Sequence, residues 1–156
     1  MRLRAHAAGF AAALLLIAAP RIEAQSSSIR LTIAAGQHAG AHEMTDQCTV
    51  IDGQISAVFT SKGGTIGDGT PEFIEFWTLP GKGKPEGFGV RVLFTMKSGG
   101  HAEYEIHAVP PGVQGPMPAT GRGSVTVQQA ETGKSATFRG ETKDGVGMEG
   151  SLACRG

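Results

Sequence analysis

This chain of 156 residues has no excess of positive or negative charge, only two cysteines and few long apolar runs. Its 14 Lys and Arg side chains balance 14 Asp and Glu side chains, so it lacks the basic surface expected of a nucleic-acid-binding protein. Its 24 glycines show no Gly-X-Y period, which excludes collagen and favours many turns. A hydrophobic content of 40% excludes a disordered tail, and the length fits one domain.

The longest apolar run, residues 7–19, is too short to cross a membrane. As a helix it would rise about 20 Å, against roughly 30 Å for the hydrocarbon core of a bilayer. Arg2 and Arg4 precede the run, and the small residue Ala24 follows it. This order of basic, apolar and small-residue segments predicts a secretory signal peptide over residues 1–24.

Cleavage after Ala24 would leave a single mature domain over residues 25–156. That domain keeps 11 basic and 13 acidic side chains, because the leader contains three of the 14 basic residues and one of the 14 acidic ones. No later stretch is apolar enough to span a membrane, and no cysteine near the junction could accept a lipid. We therefore expect a slightly acidic protein that is exported to the periplasm or the cell exterior.

Cys48 and Cys154 are the only cysteines, so only one pairing exists. In the oxidising compartment that export implies, they are predicted to form a disulfide. Such a bond closes a loop of about 100 residues, to which chain-entropy arguments assign about 4.7 kcal/mol of stability. The alternative, a pair of free thiols used in redox chemistry, lacks C-x-x-C spacing.

Short alternating runs bounded by Gly, Pro and Asp recur after the leader, whereas no window of about 11 residues shows helical periodicity. About nine strands are predicted, over residues 29–35, 47–51, 54–60, 73–79, 87–97, 101–109, 123–129, 135–142 and 146–154. Such strands, joined by glycine-rich turns, predict an all-β fold, an antiparallel β-sandwich. The alternative is a small up-and-down barrel that holds an apolar ligand.

Three predicted hairpins determine which side chains should lie opposite each other. Their turns are Asp52-Gly53, Ser98-Gly99-Gly100 and Lys143-Asp144-Gly145, each with its last glycine at positive φ. The predicted opposed pairs are Cys48 with Ala57, Val50 with Ile55, Phe94 with Tyr104, Arg91 with His107, Phe138 with Gly150, and Arg139 with Glu149. A slip of one residue would invert each face, so the matching apolar pairs favour these registers.

The stretch from His101 to His107 is the strongest candidate for chemistry. Period two places His101, Glu103, Glu105 and His107 on one strand face, with neighbours about 7 Å apart. Imidazole nitrogens and carboxylate oxygens bind zinc and related divalent metals, so this face is a candidate metal site. The other interpretation, which the predicted hairpin register favours, is a solvated outer face whose carboxylates pair with Arg91 and Lys97 on the preceding strand.

His38 and His42 form a second candidate pair, followed by Glu43. The spacing i, i+4 would align two metal-binding histidines on a helix, as in the H-E-x-x-H motif. Here the glutamate lies outside the pair, and Gly36 and Gly40 argue against a helix. The segment is predicted to be a polar connection, with metal binding together with a distant residue as the alternative.

The sequence contains neither a G-x-S-x-G nucleophile elbow nor a phosphate-binding loop with its lysine. We expect no catalytic residue and no cofactor, and hence a binding or structural module rather than an enzyme. The alternative function is a metal-binding protein or metal-dependent hydrolase that uses the His/Glu strand face.

Phe73, Phe76 and Trp77 put apolar side chains on both faces of one predicted strand. That pattern indicates a central strand packed on both sides, or an exposed aromatic face for a sugar or a protein partner. Binding residues in such scaffolds concentrate on loops. The partner, a protein, a small molecule or a glycan, is therefore predicted to bind three unpatterned loops, over residues 61–72, 80–87 and 110–122.

The C-terminal stretch SATFRGETKDGVGMEGSLAC, residues 135–154, resembles the closing hairpin of small exported bacterial β-sandwich proteins. In those proteins a final G-x-(L/I)-x-C strand brings a cysteine to an earlier one, and the mycobacterial small lipoprotein antigen family is similar in this respect. The resemblance covers about 20 residues and implies a fold and a structural cysteine, but no catalytic residue. The chain lacks the lipid-acceptor cysteine, so surface anchoring is not implied.

Overall fold

A computed structural model of the chain describes residues 26–61, 67–79, 87–110 and 119–155, so the predicted signal peptide lies outside the described residues. In these ranges the chain forms ten β-strands: Ser27–Ile33 (β1), Gly40–Asp46 (β2), Cys48–Ile51 (β3), Gln54–Thr60 (β4), Phe73–Leu79 (β5), Gly87–Thr95 (β6), His101–Ala108 (β7), Gly121–Ala130 (β8), Gly133–Thr142 (β9) and Gly147–Cys154 (β10). No helix within the described ranges is long and apolar enough to cross a membrane.

The strands form two antiparallel sheets of five strands each. The strand order is β2-β1-β10-β9-β8 in the first sheet and β3-β4-β5-β6-β7 in the second. Strands adjacent in sequence are neighbours in space, except where the chain passes between the sheets after β2 and after β7. The predicted β-sandwich is confirmed. The alternative of a barrel around an apolar ligand is wrong, because buried side chains from both sheets fill the interior.

Glycines on the inner face of the first sheet make room for aromatic rings. A Cβ atom on Gly150 would lie 2.7 Å from Cζ of Phe138, and one on Gly123 would lie 3.0 Å from Cζ of Phe88. Full burial of one such ring contributes about 1.5–3 kcal/mol. The bare backbone therefore allows large rings to fill the narrow space between the sheets, as predicted for Gly150.

The predicted disulfide between Cys48 and Cys154 is confirmed. The two Cα atoms are 5.4 Å apart, and 106 positions separate the residues in sequence. Cys48 begins β3 of the second sheet and Cys154 ends β10 of the first. The bond therefore ties the two sheets together.

Two of the three predicted hairpin turns form as expected. Asp52 and Gly53 have φ values of 48° and 82°, and Gly145 has a φ of 80°. The predicted pairs are observed on both hairpins: Cys48 with Ala57, Val50 with Ile55, Phe138 with Gly150, and Arg139 with Glu149.

The predicted register of the hairpin β6–β7 is wrong by two residues. Phe94 lies opposite Ala102 rather than Tyr104, and Arg91 lies opposite Glu105 rather than His107. The turn keeps its predicted length of three residues but lies one residue earlier: the N–H of Met96 donates to the carbonyl of Gly100, and the positive φ of 83° belongs to Gly99 rather than Gly100. A shift of two residues leaves every side chain on the same face, so the alternation of apolar residues could not reveal it.

The segment predicted as a polar connection forms strand β2, which raises the strand count from nine to ten. It pairs with β1 over its whole length, with Met44 opposite Ile29. Met44 is its only buried side chain, because β2 lies at the edge of the first sheet. One large apolar residue in seven is too weak a pattern to predict a strand.

Candidate functional site

The outer side of strands β5, β6 and β7 carries the densest group of aromatic and ionisable side chains in the described residues. We name this surface the Trp77 face. Its members are Phe73, Glu75, Trp77 and Leu79 on β5, Gly89, Arg91, Leu93 and Thr95 on β6, and His101, Glu103, Glu105 and His107 on β7. Most of them are half-buried, although an outer face that meets only water would be largely exposed.

The indole of Trp77 lies against the backbone of Gly89. Trp77, Gly89 and His107 lie side by side on neighbouring strands. A Cβ atom on Gly89 would lie only 1.9 Å from Cζ2 of the indole. The centroid of the indole is 6.0 Å from that of His107, which is fully buried. Glycine at position 89 is therefore needed for the indole to lie flat on the sheet.

Trp77 was predicted to be core or part of an exposed aromatic face, and the structure places it between these two outcomes. Phe76, the preceding residue, is fully buried between the sheets. Trp77 points to the opposite side and is half-buried. Strand β5 is the central strand of the second sheet, as its two apolar faces suggested.

Arg91 lies at the centre of a group of carboxylates. It is opposite Glu75 on β5 and Glu105 on β7, and its guanidinium donates a hydrogen bond to Glu103. Its Cζ atom is 5.4 Å from the centroid of the Phe73 ring. The hydrogen bond to Glu103 raises the pKa of Arg91 above its ordinary value, and the charges of the three glutamates add to that effect against partial burial.

A second group of contacts lies at the end of the face where Thr95 and His101 are paired. The Thr95 hydroxyl donates to the carboxylate of Glu72, and its oxygen is 3.3 Å from Nδ1 of His101. The backbone N–H of Glu72 donates to the carbonyl of Leu93 at 2.7 Å, which holds this glutamate beside β6. Lys97 lies beyond the face, in the turn that follows β6.

Among the described residues, three carboxylates of the face surround the guanidinium of Arg91, and a fourth lies at the rim beside Thr95. The carboxylates belong to Glu72, Glu75, Glu103 and Glu105. A cleft of about 340 Å³ opens along the edge of β7 beside two of these glutamates, where Lys143 is balanced by Asp144. The charge of this surface is therefore negative, and Arg91 alone does not neutralise it.

The four predicted metal ligands share one strand face, but their contacts differ. Glu103 binds Arg91, His101 lies beside Thr95, and His107 is buried beside the indole. The alternative of a solvated outer face is wrong at His107, which is 0% exposed. Within the described ranges, no group of three or more His, Cys, Asp and Glu side chains is arranged to hold a metal ion. Metal binding through His101, Glu103, Glu105 and His107 stays a prediction.

The structure brings His38 and His42 together, away from the Trp77 face. Nε2 of His42 is 2.9 Å from the carbonyl oxygen of His38. The His38 ring stacks on Phe94 with centroids 4.0 Å apart and planes 6° apart, while Glu43 turns outward to Arg30. The two histidines thus cover the edge of the core, a contact that sequence spacing could not reveal because Phe94 lies on another sheet.

The predicted binding loops are only partly described. Residues 62–66, 80–86 and 111–118 lie outside the described residues, and binding of a partner by these loops stays a prediction. Sequence reasoning missed Gly89 and Arg91 as members of a site. The available signal was Gly87-Phe88-Gly89 at the start of a strand, since glycine inside a strand often marks a close approach.

The C-terminal hairpin that resembles the small lipoprotein antigen family is β9–β10, and it carries the disulfide. Its contacts are those of a structural element: the ring of Phe138 covers Gly150, and Arg139 lies 3.9 Å from Glu149 on the outer face. Membership of that family stays a prediction. Comparison of the whole chain with protein-family models, with curated proteins and with solved structures finds no match.

Proposed function

We propose that this protein is an exported binding module that uses the Trp77 face to hold a positively charged ligand. The observation that carries the proposal is the indole of Trp77 on the backbone of Gly89, beside an excess of carboxylates. Aromatic rings attract cations through their π faces, by about 0.5–2 kcal/mol depending on solvent exposure. Carboxylates add charge-assisted hydrogen bonds to a cationic N–H donor.

The charge distribution supports a cation over a neutral or anionic ligand. The mature chain carries only two more acidic than basic side chains, 13 against 11. Three of the acidic side chains nevertheless surround Arg91 on this face, and a fourth, Glu72, lies at its rim beside Thr95. Such a concentration of one sign attracts oppositely charged ligands and increases their rate of association. A Lys side chain or a free polyamine has the required chemistry.

Export is part of the proposal and is supported by the oxidised cysteine pair. Cys48 and Cys154 form the disulfide that an oxidising compartment favours. Expression of the full chain in a bacterial host should yield a protein outside the cytoplasm whose N-terminus is Gln25. Full-length protein retained in the cytoplasm would overturn this part of the proposal.

Trp77 is the only tryptophan, so its fluorescence reports directly on the proposed site. The mature protein, with its disulfide intact, is titrated with a tetralysine amide. We expect a saturable change in Trp77 emission that weakens as salt is added, because salt screens the attraction between the carboxylates and the lysine ammonium groups. The Nε-acetylated tetralysine is the matched ligand control, since acetylation removes the charge and keeps the chain.

Two variants test whether the carboxylates of this face are responsible. Glu103→Gln and Glu105→Gln should each weaken tetralysine binding severalfold, because each removes one negative charge from the face. Glu149→Gln is the matched control, since Glu149 is an exposed carboxylate on the outer side of the first sheet. No saturable change in emission, equal binding of the acetylated peptide, or equal weakening by Glu149→Gln would each contradict the proposal.

A further inference from the structure

The two open sheets leave four strands at their edges, and these edges differ in how they are protected. The edge strands are β2 and β8 in the first sheet and β3 and β7 in the second. An edge strand presents unpaired backbone N–H and C=O groups that can pair with another chain. Proteins commonly block such edges with charged side chains, proline or short strands.

Three of the edges are blocked in these ways, and β8 is not. Strand β3 has only four residues, while β2 and β7 carry ionisable side chains along their length. Strand β8 has ten residues, and no charged residue or proline occurs over positions 123–130. That stretch reads Gly-Ser-Val-Thr-Val-Gln-Gln-Ala, with three consecutive β-branched residues at its centre.

Within the part of the chain that the structure describes, hydrogen bonds join β8 to the other sheet only next to its start. Just before it, the N–H of Thr120 donates to the carbonyl of His107 at 3.2 Å, and the N–H of His107 donates to Oγ1 of Thr120 at 3.1 Å. Beyond this point, the only strand in the described ranges that pairs with β8 is β9. Ser124, Thr126 and Gln128 are exposed on the outer side. Among the described residues, the unpaired edge of β8 therefore extends over about eight residues, or more than 20 Å.

We infer that β8 pairs with β8 of a second copy of this chain, antiparallel and across a two-fold axis at Thr126. This axis places Thr126 opposite its own copy, Val125 opposite Val127, and Ser124 opposite Gln128. The two valines are half-buried and face inward, whereas the other three residues face outward. Apolar residues are therefore paired on the inner face and polar residues on the outer face. The first sheets of two copies then form one continuous sheet of ten strands.

A second copy fits this edge better than a charged partner does. The stretch 123–130 carries no charge that could select a partner of opposite sign. Its pattern is self-complementary, as a two-fold contact between identical surfaces requires. The inference does not depend on the proposed ligand, because β8 and the Trp77 face belong to different sheets.

Sedimentation velocity of the mature protein tests the inference. We expect a monomer–dimer equilibrium that shifts towards dimer as concentration rises to about 500 μM, by mass action. Thr126→Lys places two like charges directly opposite each other and should weaken dimerisation on the order of tenfold or more. The matched control is Thr137→Lys on the interior strand β9, an exposed threonine that lies directly opposite Thr126.

Charge reversal and cross-linking complete the test. A mixture of Thr126→Lys and Thr126→Glu proteins should dimerise again, because the opposed charges become complementary. Thr126→Cys should form an intermolecular disulfide, since directly opposed strand residues lie within disulfide reach, whereas Thr137→Cys should not. The inference is overturned if the unaltered protein stays monomeric at 500 μM, as expected if β8 instead takes a segment of another protein. Equal weakening by Thr137→Lys would also overturn it.

Discussion

The outer faces of the two sheets are built on the same alternating pattern, yet their charges are arranged in opposite ways. On the first sheet each arginine has its own glutamate, in the pairs Arg30–Glu43, Arg122–Glu141 and Arg139–Glu149. On the Trp77 face one arginine is surrounded by several carboxylates. Balanced, exposed pairs contribute little stability and attract no particular ligand, whereas an excess of one sign does attract one.

The two outer faces also differ in how far their side chains are buried. On the first sheet the arginine side chains of the ion pairs are 72–84% exposed. On the second sheet the Arg91 side chain is 40% exposed, and the neighbouring Trp77 is half-buried. Period two predicts which side chains point outward, but it does not tell a solvated face from one that buries aromatic surface.

The largest expected effect comes from opening the disulfide that holds the two sheets together. Reduction of Cys48–Cys154 should lower the free energy of unfolding by about 2–5 kcal/mol, because the unfolded chain gains entropy. Urea unfolding with and without reductant, followed by Trp77 emission and by far-UV circular dichroism, measures this loss. In the double variant Cys48→Ala/Cys154→Ala the reductant should have no effect. An unchanged unfolding midpoint in the unaltered protein would contradict the structural role of the bond.

Matched glycine substitutions on the two faces should have unequal effects. Gly89→Ala inserts a methyl group into the indole of Trp77 and should cost about 1–3 kcal/mol, because the ring must leave its place. Gly147→Ala, in the first sheet, is the control, since its Cβ would lie 3.4 Å from Cβ of Ala34, an ordinary contact. Thermal melts measure both changes, and Trp77 emission should shift to the red only in Gly89→Ala. Equal costs would show that the indole does not need the bare backbone.

The smallest expected effects distinguish the arginines of the two faces. Arg91→Met leaves three glutamates without their countercharge and should cost about 1 kcal/mol, less at high salt because screening weakens the repulsion. Arg139→Met should cost no more than about 0.5 kcal/mol, since its pair with Glu149 is 3.9 Å long and exposed. Urea unfolding at two salt concentrations measures both.

Arg91→Met also sharpens the proposed function. If the ligand is a cation, tetralysine should bind this variant more tightly while the protein becomes less stable, because the face becomes more negative. A parallel loss of stability and of affinity would indicate that Arg91 itself binds the ligand. The variant Arg139→Met should leave tetralysine binding unchanged.

The three hairpins show which parts of the fold could be predicted from the sequence. Asp52-Gly53 and Gly145 specify tight turns, and each turn determines the register of the two strands that it joins. The turn before His101 contains two adjacent glycines, and either could adopt the positive φ that Gly99 takes, so the register was predicted two residues away from the observed one. For the candidate site, the shared strand face of Glu103 and Glu105 and a basic partner on the preceding strand were predictable, whereas the register that makes Arg91 the partner of Glu103 was not.

The alternation of apolar residues and the single possible cysteine pairing, both present in the sequence itself, determined the all-β fold, the inward side of most strands and the disulfide. These are local or combinatorial properties, and they need no knowledge of which strands become neighbours. Only the tertiary structure decided that Trp77 lies on Gly89 beside His107, and that β8 stays at an edge. The physical reason is that contacts across strands depend on register and strand order, which the packing of both sheets determines together.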